Sequence, residues 1–162
     1  MKKTHPIALL ATWFGSGLSP KAPGTMGTLA ALPFAYLMHI YLGIEVLLVA
    51  TILISVIGVP ISTIYMRENK LEHDPKEIVI DEVSGIWLTI SVMPLWYIAP
   101  DYAPIWPVYI AAFVLFRFFD ILKPWPISLA DRKVHGGFGV MLDDWLAGIM
   151  AWLVLGGLAH VI

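Results

Sequence analysis

Acidic side chains occur in pairs beside apolar segments of this chain. Asp81 and Glu82 follow a short apolar run, and Asp143 and Asp144 precede the apolar C-terminal segment. Charge at the depth of a membrane segment is costly, so carboxylates placed there indicate a functional site. The structural alternative is that one acid of each pair caps or begins a helix, which explains one acid well and the second less well.

A third polar group lies on the segment 116–126. Arg117, Asp120 and Lys123 are spaced three residues apart, so on a helix they share one face. Pro124 follows Lys123 and is expected to end that helix. A row of structural ion pairs is the alternative to a site in which Arg117 and Lys123 bind an anion.

Glycine, serine, threonine and lysine are concentrated in the segment 15–28, before a helix predicted to start near Thr28. Glycines let backbone N–H groups approach an anion, and the N-terminus of a helix attracts phosphate. The spacing is not that of a P-loop, so a turn that only re-enters the membrane interface is the alternative. The phosphate-binding candidates in this segment are Gly15, Ser16, Gly17, Lys21 and Thr25.

Carboxylates in a chain without thiols favour magnesium as the bound metal. The chain has no cysteine, which excludes disulfides, thiolate metal sites and a cysteine nucleophile. Mg²⁺ takes oxygen ligands, usually one or two carboxylates, and completes its shell with water and substrate phosphate. Metal and phosphate at a bilayer surface indicate phospholipid headgroup chemistry. The candidate ligands are Asp81, Glu82, Asp120, Asp143 and Asp144.

The composition places these groups on a membrane protein. Hydrophobic residues make up 59% of the 162 residues and charged residues 14%, with a mean hydropathy of +0.79. Soluble domains carry roughly a quarter charged residues. The net charge of −2 disfavours a nucleic-acid partner, which selects a basic face. The run 7–13 is too short to span a bilayer and no cleavage site follows it, so we expect no signal peptide.

Five apolar stretches predict an all-α, membrane-associated bundle with about five hydrophobic helices. Pro33, Pro60 and Pro94 are expected to kink these helices. The stretches cover residues 29–42, 46–65, 83–99, 105–119 and 145–162.

The distribution of charge predicts the orientation of such a bundle. With five spans and the N-terminus in the cytoplasm, all ten basic residues fall on the cytoplasmic side, and the outer connections hold only Glu45 and Asp101. The positive-inside rule expects this asymmetry, so we expect a polar site on the cytoplasmic face. The alternative is that some short stretches are interfacial or re-entrant.

The motifs described above, taken in order, resemble the signature of the bacterial phosphatidylglycerophosphatase A family. The resemblance covers residues 13 to about 150 in four blocks, which is more specific than any single motif. The matching segments are 14–20 (Phe-Gly-Ser-Gly-Leu-Ser-Pro), 22–30 (Ala-Pro-Gly-Thr-Met-Gly-Thr-Leu-Ala), Asp81-Glu82, Phe116-Arg117 with Asp120 and Lys123-Pro-Trp-Pro-Ile127, Asp131-Arg132, Val134-His-Gly-Gly137, and Asp143-Asp144 with Ala147-Gly148.

The resemblance implies a single all-helical domain over residues 1–162 that acts as a Mg²⁺-dependent lipid phosphatase. Such an enzyme is a multi-pass protein of the bacterial inner membrane. It hydrolyses phosphatidylglycerophosphate to phosphatidylglycerol and inorganic phosphate, the last step of phosphatidylglycerol biosynthesis. Neither the headgroup nor the pathway follows from composition or spacing.

The mechanism expected for this chain is direct attack by water assisted by Mg²⁺. Asp120, His135 and Asp144 are the candidates for orienting the water or protonating the leaving oxygen, although a lone histidine such as His135 is more often simply a loop residue. Arg117 and Lys123 would hold the phosphate.

Two rival functions differ from this one in class. A small membrane transporter would use the acids as an ion path near the bilayer midplane, whereas here they lie at segment ends. A lipid phosphotransferase would need a spaced set of aspartates on two helices, which the two acidic pairs do not match.

Overall fold

The structure is a computed structural model that describes residues 2–71, 75–92 and 105–159. Within these ranges the chain is helical and contains no strand, which confirms the predicted all-α class. A short 3₁₀ turn, Ser16–Leu18, precedes the second helix. The helices are α1 Pro6–Ala11, α2 Pro23–Leu42, α3 Ile44–Asn69, α4 Ile80–Ser91, α5 Trp106–Leu122, α6 Ile127–Lys133 and α7 Gly136–Ala159.

The five predicted apolar stretches correspond to α2, α3, α4, α5 and α7, so about five hydrophobic helices is a fair description. Three of them are long and apolar enough to cross a membrane: α2, α3 and α7 as far as Leu158. By contrast, α4 has 12 described residues and a length of about 18 Å. The part of its stretch beyond residue 92, with Pro94, lies outside the described residues, as does Asp101. Three long apolar helices indicate association with a membrane.

Helix α4 forms the centre of the bundle. Ten of its 12 residues are buried, and it packs against α2, α3, α5 and α7. The surrounding helices expose large apolar side chains on their outer faces, for example Tyr41 on α2 and Val56 on α3. This arrangement buries polar groups at the centre and leaves apolar groups outside, as a lipid surrounding requires.

Close packing between α4 and α7 depends on two glycines. A Cβ atom on Gly148 would lie 2.6 Å from the carbonyl oxygen of Gly85, and a Cβ on Gly85 would lie 2.5 Å from the ring of Phe116 and 2.9 Å from the carbonyl oxygen of Asp144. Thr89 donates a hydrogen bond across this contact to the Gly148 carbonyl at 3.2 Å. Small residues let helix backbones approach in this way, and here they bring Asp144 beside the first turn of α4.

Replacing Gly148 with alanine tests this contact. The added methyl group meets backbone rather than a mobile side chain, so we expect a loss of about 1–3 kcal/mol in the free energy of unfolding. Gly157→Ala is the matched control, because no atom lies within 4 Å of a Cβ at that position. Thermal unfolding in detergent should show a lower midpoint for Gly148→Ala alone. Equal midpoints for the two variants would contradict the packing described.

Candidate functional site

Three carboxylates converge where α7 passes the start of α4. Oxygen atoms of Asp81, Glu82 and Asp144 lie within 4.8 Å of one another. Asp81 and Asp144 are buried, with 5% and 3% of their surface exposed, and the Glu82 side chain is 13% exposed. We call these three residues the carboxylate cluster. Three oxygen ligands at this separation could hold a divalent cation.

Helix geometry explains how each acid reaches the carboxylate cluster. Asp81 and Glu82 lie in the first turn of α4, where the positive end of the helix dipole favours negative charge. The N-cap residue is Val79, which forms no side-chain cap, and within the first turn the Asp81 carboxylate accepts a hydrogen bond from the Glu82 N–H at 3.0 Å. Asp144 lies two turns inside α7, which begins at Gly136. Capping of α7 is therefore excluded as the explanation for Asp144.

Arg117 lies between two acids at the edge of the cluster. Its NH1 atom is 3.6 Å from Oε1 of Glu82 and forms an ion pair with Asp120 three residues along α5. These three side chains are each only 13–14% exposed. The shared helical face predicted for Arg117 and Asp120 is present, and it delivers a guanidinium group to the carboxylate cluster.

Lys123 lies just beyond the helix that carries Arg117 and Asp120. It follows the last residue of α5 with a left-handed backbone, φ +43°, and it lines the same cavity as those two residues. The Nζ atom lies 2.5 Å from Oδ1 of Asp131 and 2.5 Å from Oδ2 of Asp143. Burial alone lowers the pKa of Lys123, but the hydrogen bonds and charges of the two aspartates outweigh it and raise this pKa. The ammonium group therefore stays charged.

The ammonium of Lys123 also explains the position of Asp143. Successive residues of a helix point about 100° apart, so Asp143 and Asp144 face different neighbours. Asp144 joins the carboxylate cluster, whereas Asp143 is paired with Lys123. Among the described residues, the group of acids close enough to share one metal ion includes neither Asp143 nor Asp120.

A cavity of about 250 Å³ opens beside the carboxylate cluster. It is an open cavity bordered by the start of α2, the segment that leads into α4, the first turn of α4 and the end of α5. Acidic, basic and apolar side chains all contribute to its wall. The lining residues are Ala22, Pro23, Gly24, Lys76, Ile78, Asp81, Glu82, Arg117, Asp120, Ile121 and Lys123.

The start of α2 contacts the cluster through Gly24. A Cβ atom there would lie 2.1 Å from Oε1 of Glu82 and 3.1 Å from NH1 of Arg117, so no larger residue fits without moving a charged group. The helix begins at Pro23, earlier than the predicted start near Thr28, because proline suits the first helical position. Gly24 was not among the predicted site residues, and the Pro-Gly pair at the start of the helix is the sequence feature that marks it.

The other glycine-rich candidates lie outside the cavity wall. Gly17 packs against the carbonyl of Glu77, where a Cβ would lie 2.2 Å from the oxygen, and the Ser16 hydroxyl donates to the carbonyl of Trp13 at 2.9 Å. Both residues shape the segment that leads to α2. Gly15, Lys21 and Thr25 are also absent from the cavity lining, and Lys21 is exposed.

His135 lies apart from the cavity that the acids line. It is exposed and immediately precedes α7, and it is not a lining residue. Helix α7 begins at Gly136, so the glycines after His135 lie in its first turn rather than in a loop. Among the predicted catalytic residues, Asp120 lines the cavity and Asp144 belongs to the carboxylate cluster, whereas His135 does neither.

Comparison with known proteins identifies relatives over nearly the whole chain. The family model described as phosphatidylglycerophosphatase A matches residues 9–159. The phosphatidylglycerophosphatase A of Escherichia coli strain K12 is 42% identical over 160 residues, which is 99% of this chain and 87% of that protein. The protein of the same name from Haemophilus influenzae is 40% identical over 151 residues, covering 93% and 87% of the two chains.

A third relative carries a different name. The putative phosphatidylinositol-3-phosphatase of Bacteroides thetaiotaomicron is 39% identical over 161 residues, 91% of this chain and 89% of that protein. No solved structure matches the chain. The similarity therefore rests on sequence and extends through every segment that builds the cavity.

Gly24→Ala tests whether the start of α2 positions the carboxylate cluster. The added methyl group must displace the carboxylate of Glu82, so we expect the affinity for Mn²⁺, used as a spectroscopic probe, to fall by about tenfold or more. Electron paramagnetic resonance titration in detergent measures the free ion, and Gly157→Ala again serves as the control. Circular dichroism should be unchanged. Wild-type affinity in Gly24→Ala would show that this contact does not shape the site.

Proposed function

The chain belongs to the phosphatidylglycerophosphatase A family, and from this premise we propose how its cavity carries out the reaction. The protein is a lipid phosphatase of phosphatidylglycerol biosynthesis, which hydrolyses phosphatidylglycerophosphate to phosphatidylglycerol and phosphate. The relatives give no support to the alternative of a transporter. The proposed location of the site rests on one observation, which is that acidic side chains, basic side chains and the start of a helix all line a single cavity.

We propose that the terminal phosphate of the lipid binds in this cavity. Arg117 and Lys123 supply positive charge at the wall, and the N–H groups of the first turn of α2 have no acceptor within their own helix. Because Gly24 has no side chain, this first turn can lie directly against Glu82 and Arg117, which brings its N–H groups close to the carboxylate cluster. Lys123 is held by Asp131 and Asp143, so its ammonium group is fixed before the substrate arrives.

The carboxylate cluster fits Mg²⁺ in its chemistry. Its three members offer only oxygen ligands, and these lie close enough to share one ion. Asp81, Glu82 and Asp144 would hold the metal, while Asp120 and Asp143 are engaged mainly by Arg117 and Lys123. When bound, Mg²⁺ would neutralise the negative charge that develops on the phosphoryl group.

Asp120 is the residue proposed to handle the proton. It lines the cavity, and the ion pair with Arg117 fixes its carboxylate. In the proposed reaction Asp120 accepts a proton from water as the water oxygen attacks phosphorus, and the bond to the glycerol oxygen breaks. Asp120 then returns the proton to that oxygen, so that phosphatidylglycerol leaves neutral at its new hydroxyl. His135 is not needed for this cycle.

We further propose a multi-pass protein of the bacterial inner membrane with the cavity on the cytoplasmic face. The placement of all ten basic residues on one side of a five-span topology supports this orientation. Helix α2 runs from the cavity at Pro23 to Leu42, a distance of about 30 Å, which matches the apolar thickness of a bilayer.

Phosphate release from purified protein tests the activity. Phosphatidylglycerophosphate with Mg²⁺ should yield inorganic phosphate, and EDTA should stop the release. Asp120→Asn keeps the shape of the side chain but removes the base, so we expect a rate at least about a hundredfold lower. Glu68→Gln is the control, because Glu68 is an exposed acid on α3 outside the cavity.

Near-normal turnover by Asp120→Asn would remove Asp120 from the mechanism. Phosphatidylinositol 3-phosphate belongs in the same assay, since one relative is named for it. Faster phosphate release from that lipid than from phosphatidylglycerophosphate would change the proposed substrate but not the proposed site.

Labelling of single introduced cysteines tests the orientation of the protein in the membrane. The chain has no cysteine of its own, so only the introduced residue can react. We expect Tyr41→Cys, near the far end of α2, to react with a membrane-impermeant maleimide added to intact spheroplasts. Lys133→Cys should react only after permeabilisation, because Lys133 is exposed at the end of α6, the helix whose Asp131 pairs with the cavity residue Lys123. Labelling of Lys133→Cys in intact spheroplasts would place the cavity on the outer face.

A further inference from the structure

Three cationic side chains line the cavity, and two of them are engaged by acids. Arg117 is paired with Glu82 and Asp120, and Lys123 is paired with two aspartates. Lys76 is the third. Within residues 2–71, 75–92 and 105–159, Lys76 makes no ion pair with an acid, so its charge is available to a ligand.

The backbone that follows Lys76 is held in place by hydrogen bonds. The Ile78 N–H donates to the carbonyl of Pro75 at 2.8 Å, and the Val79 N–H donates to the carbonyl of Ala11 at 2.8 Å. The neighbouring Glu77 accepts a hydrogen bond from the hydroxyl of Tyr65 at 3.0 Å. Lys76 itself is exposed. The residue is therefore a flexible cation on a fixed segment at the rim of the cavity, two residues before the buried Ile78.

The position of Lys76 matches the chemistry of the substrate. Phosphatidylglycerophosphate carries a terminal phosphomonoester and, across a glycerol bridge, a phosphodiester joined to the diacylglycerol. The monoester must reach the carboxylate cluster and Arg117, which are largely buried. The diester then lies nearer the opening of the cavity, with the acyl chains beyond it. A cation at the rim meets the diester rather than the reacting phosphate.

We propose that Lys76 binds the phosphodiester of the lipid and thereby selects substrates that carry a second phosphate. This inference rests on the proposed function, since it takes the monoester site as given. Lys76 is a specificity-determining residue in this account and takes no part in breaking the phosphorus–oxygen bond. Its loss should weaken binding of the diester and leave binding of the monoester unchanged.

The two reaction products separate these effects, because phosphatidylglycerol contains only the diester and inorganic phosphate resembles only the monoester. We expect Lys76→Gln to raise the inhibition constant of short-chain phosphatidylglycerol about tenfold, as for loss of one charge-assisted hydrogen bond. The inhibition constant of inorganic phosphate should stay within about twofold of wild type, where loss of a bond would give a tenfold change. Lys76→Arg should restore most of the affinity for phosphatidylglycerol.

Lys70→Gln is the matched control, since Lys70 is an exposed lysine on the same connection between α3 and α4 but does not line the cavity. An equal rise in both inhibition constants for Lys76→Gln would place Lys76 at the reacting phosphate and overturn the proposal. So would unchanged constants, or a wild-type enzyme that phosphatidylglycerol does not inhibit. Failure of the wild-type protein to release phosphate would instead contradict the proposed function.

Discussion

The close approach of α4 to α7 is the contact on which the site depends. Gly85 and Gly148 bring the two backbones together, and this places Asp144 beside the first turn of α4. Burying several carboxylates in one place is strongly unfavourable unless positive charge compensates them. The negative charge that this contact brings together must therefore be compensated by positive charge, and other parts of the fold provide it.

Positive charge reaches the carboxylate cluster from three directions. The first turn of α4 contributes the positive end of its dipole to Asp81 and Glu82. Arg117 reaches Glu82 from α5, and Gly24 lets the start of α2 lie directly against the same carboxylate. A divalent cation would complete the balance, and a phosphate group in the cavity would then meet an environment that is positive on several sides.

Sequence alone predicted the charged groups well because helical spacing and membrane cost are local properties. The acids at 81–82 and the Arg117–Asp120 pair follow from such arguments, and both occur as expected. Asp143 and Asp144 could not be separated, since their roles depend on which helix each one faces. Lys123 itself adopts a left-handed backbone after α5, and its pairing with Asp131 depends on how α6 packs, which the local sequence does not specify.

The glycine-rich segment shows the same limit. Its composition indicates an anion-binding turn, but only Gly24 contacts the charged residues, while Gly17 packs against the backbone of Glu77. Which glycine has which neighbour is set by the packing of α2 on the segment 77–82, a contact between distant parts of the chain. The residue types indicated that the segment 15–28 belongs to the site, but only the tertiary structure shows that Gly24 is the glycine that contacts the charged residues.

Anomalous diffraction from crystals grown with Mn²⁺ would show which acids hold the metal. The assignment of the metal to the carboxylate cluster predicts a manganese peak bounded by carboxylate oxygens of Asp81, Glu82 and Asp144, with Asp143 still paired with Lys123. A peak coordinated by Asp143 or Asp120 in place of Asp144, or no peak beside α4 at saturating Mn²⁺, would contradict it.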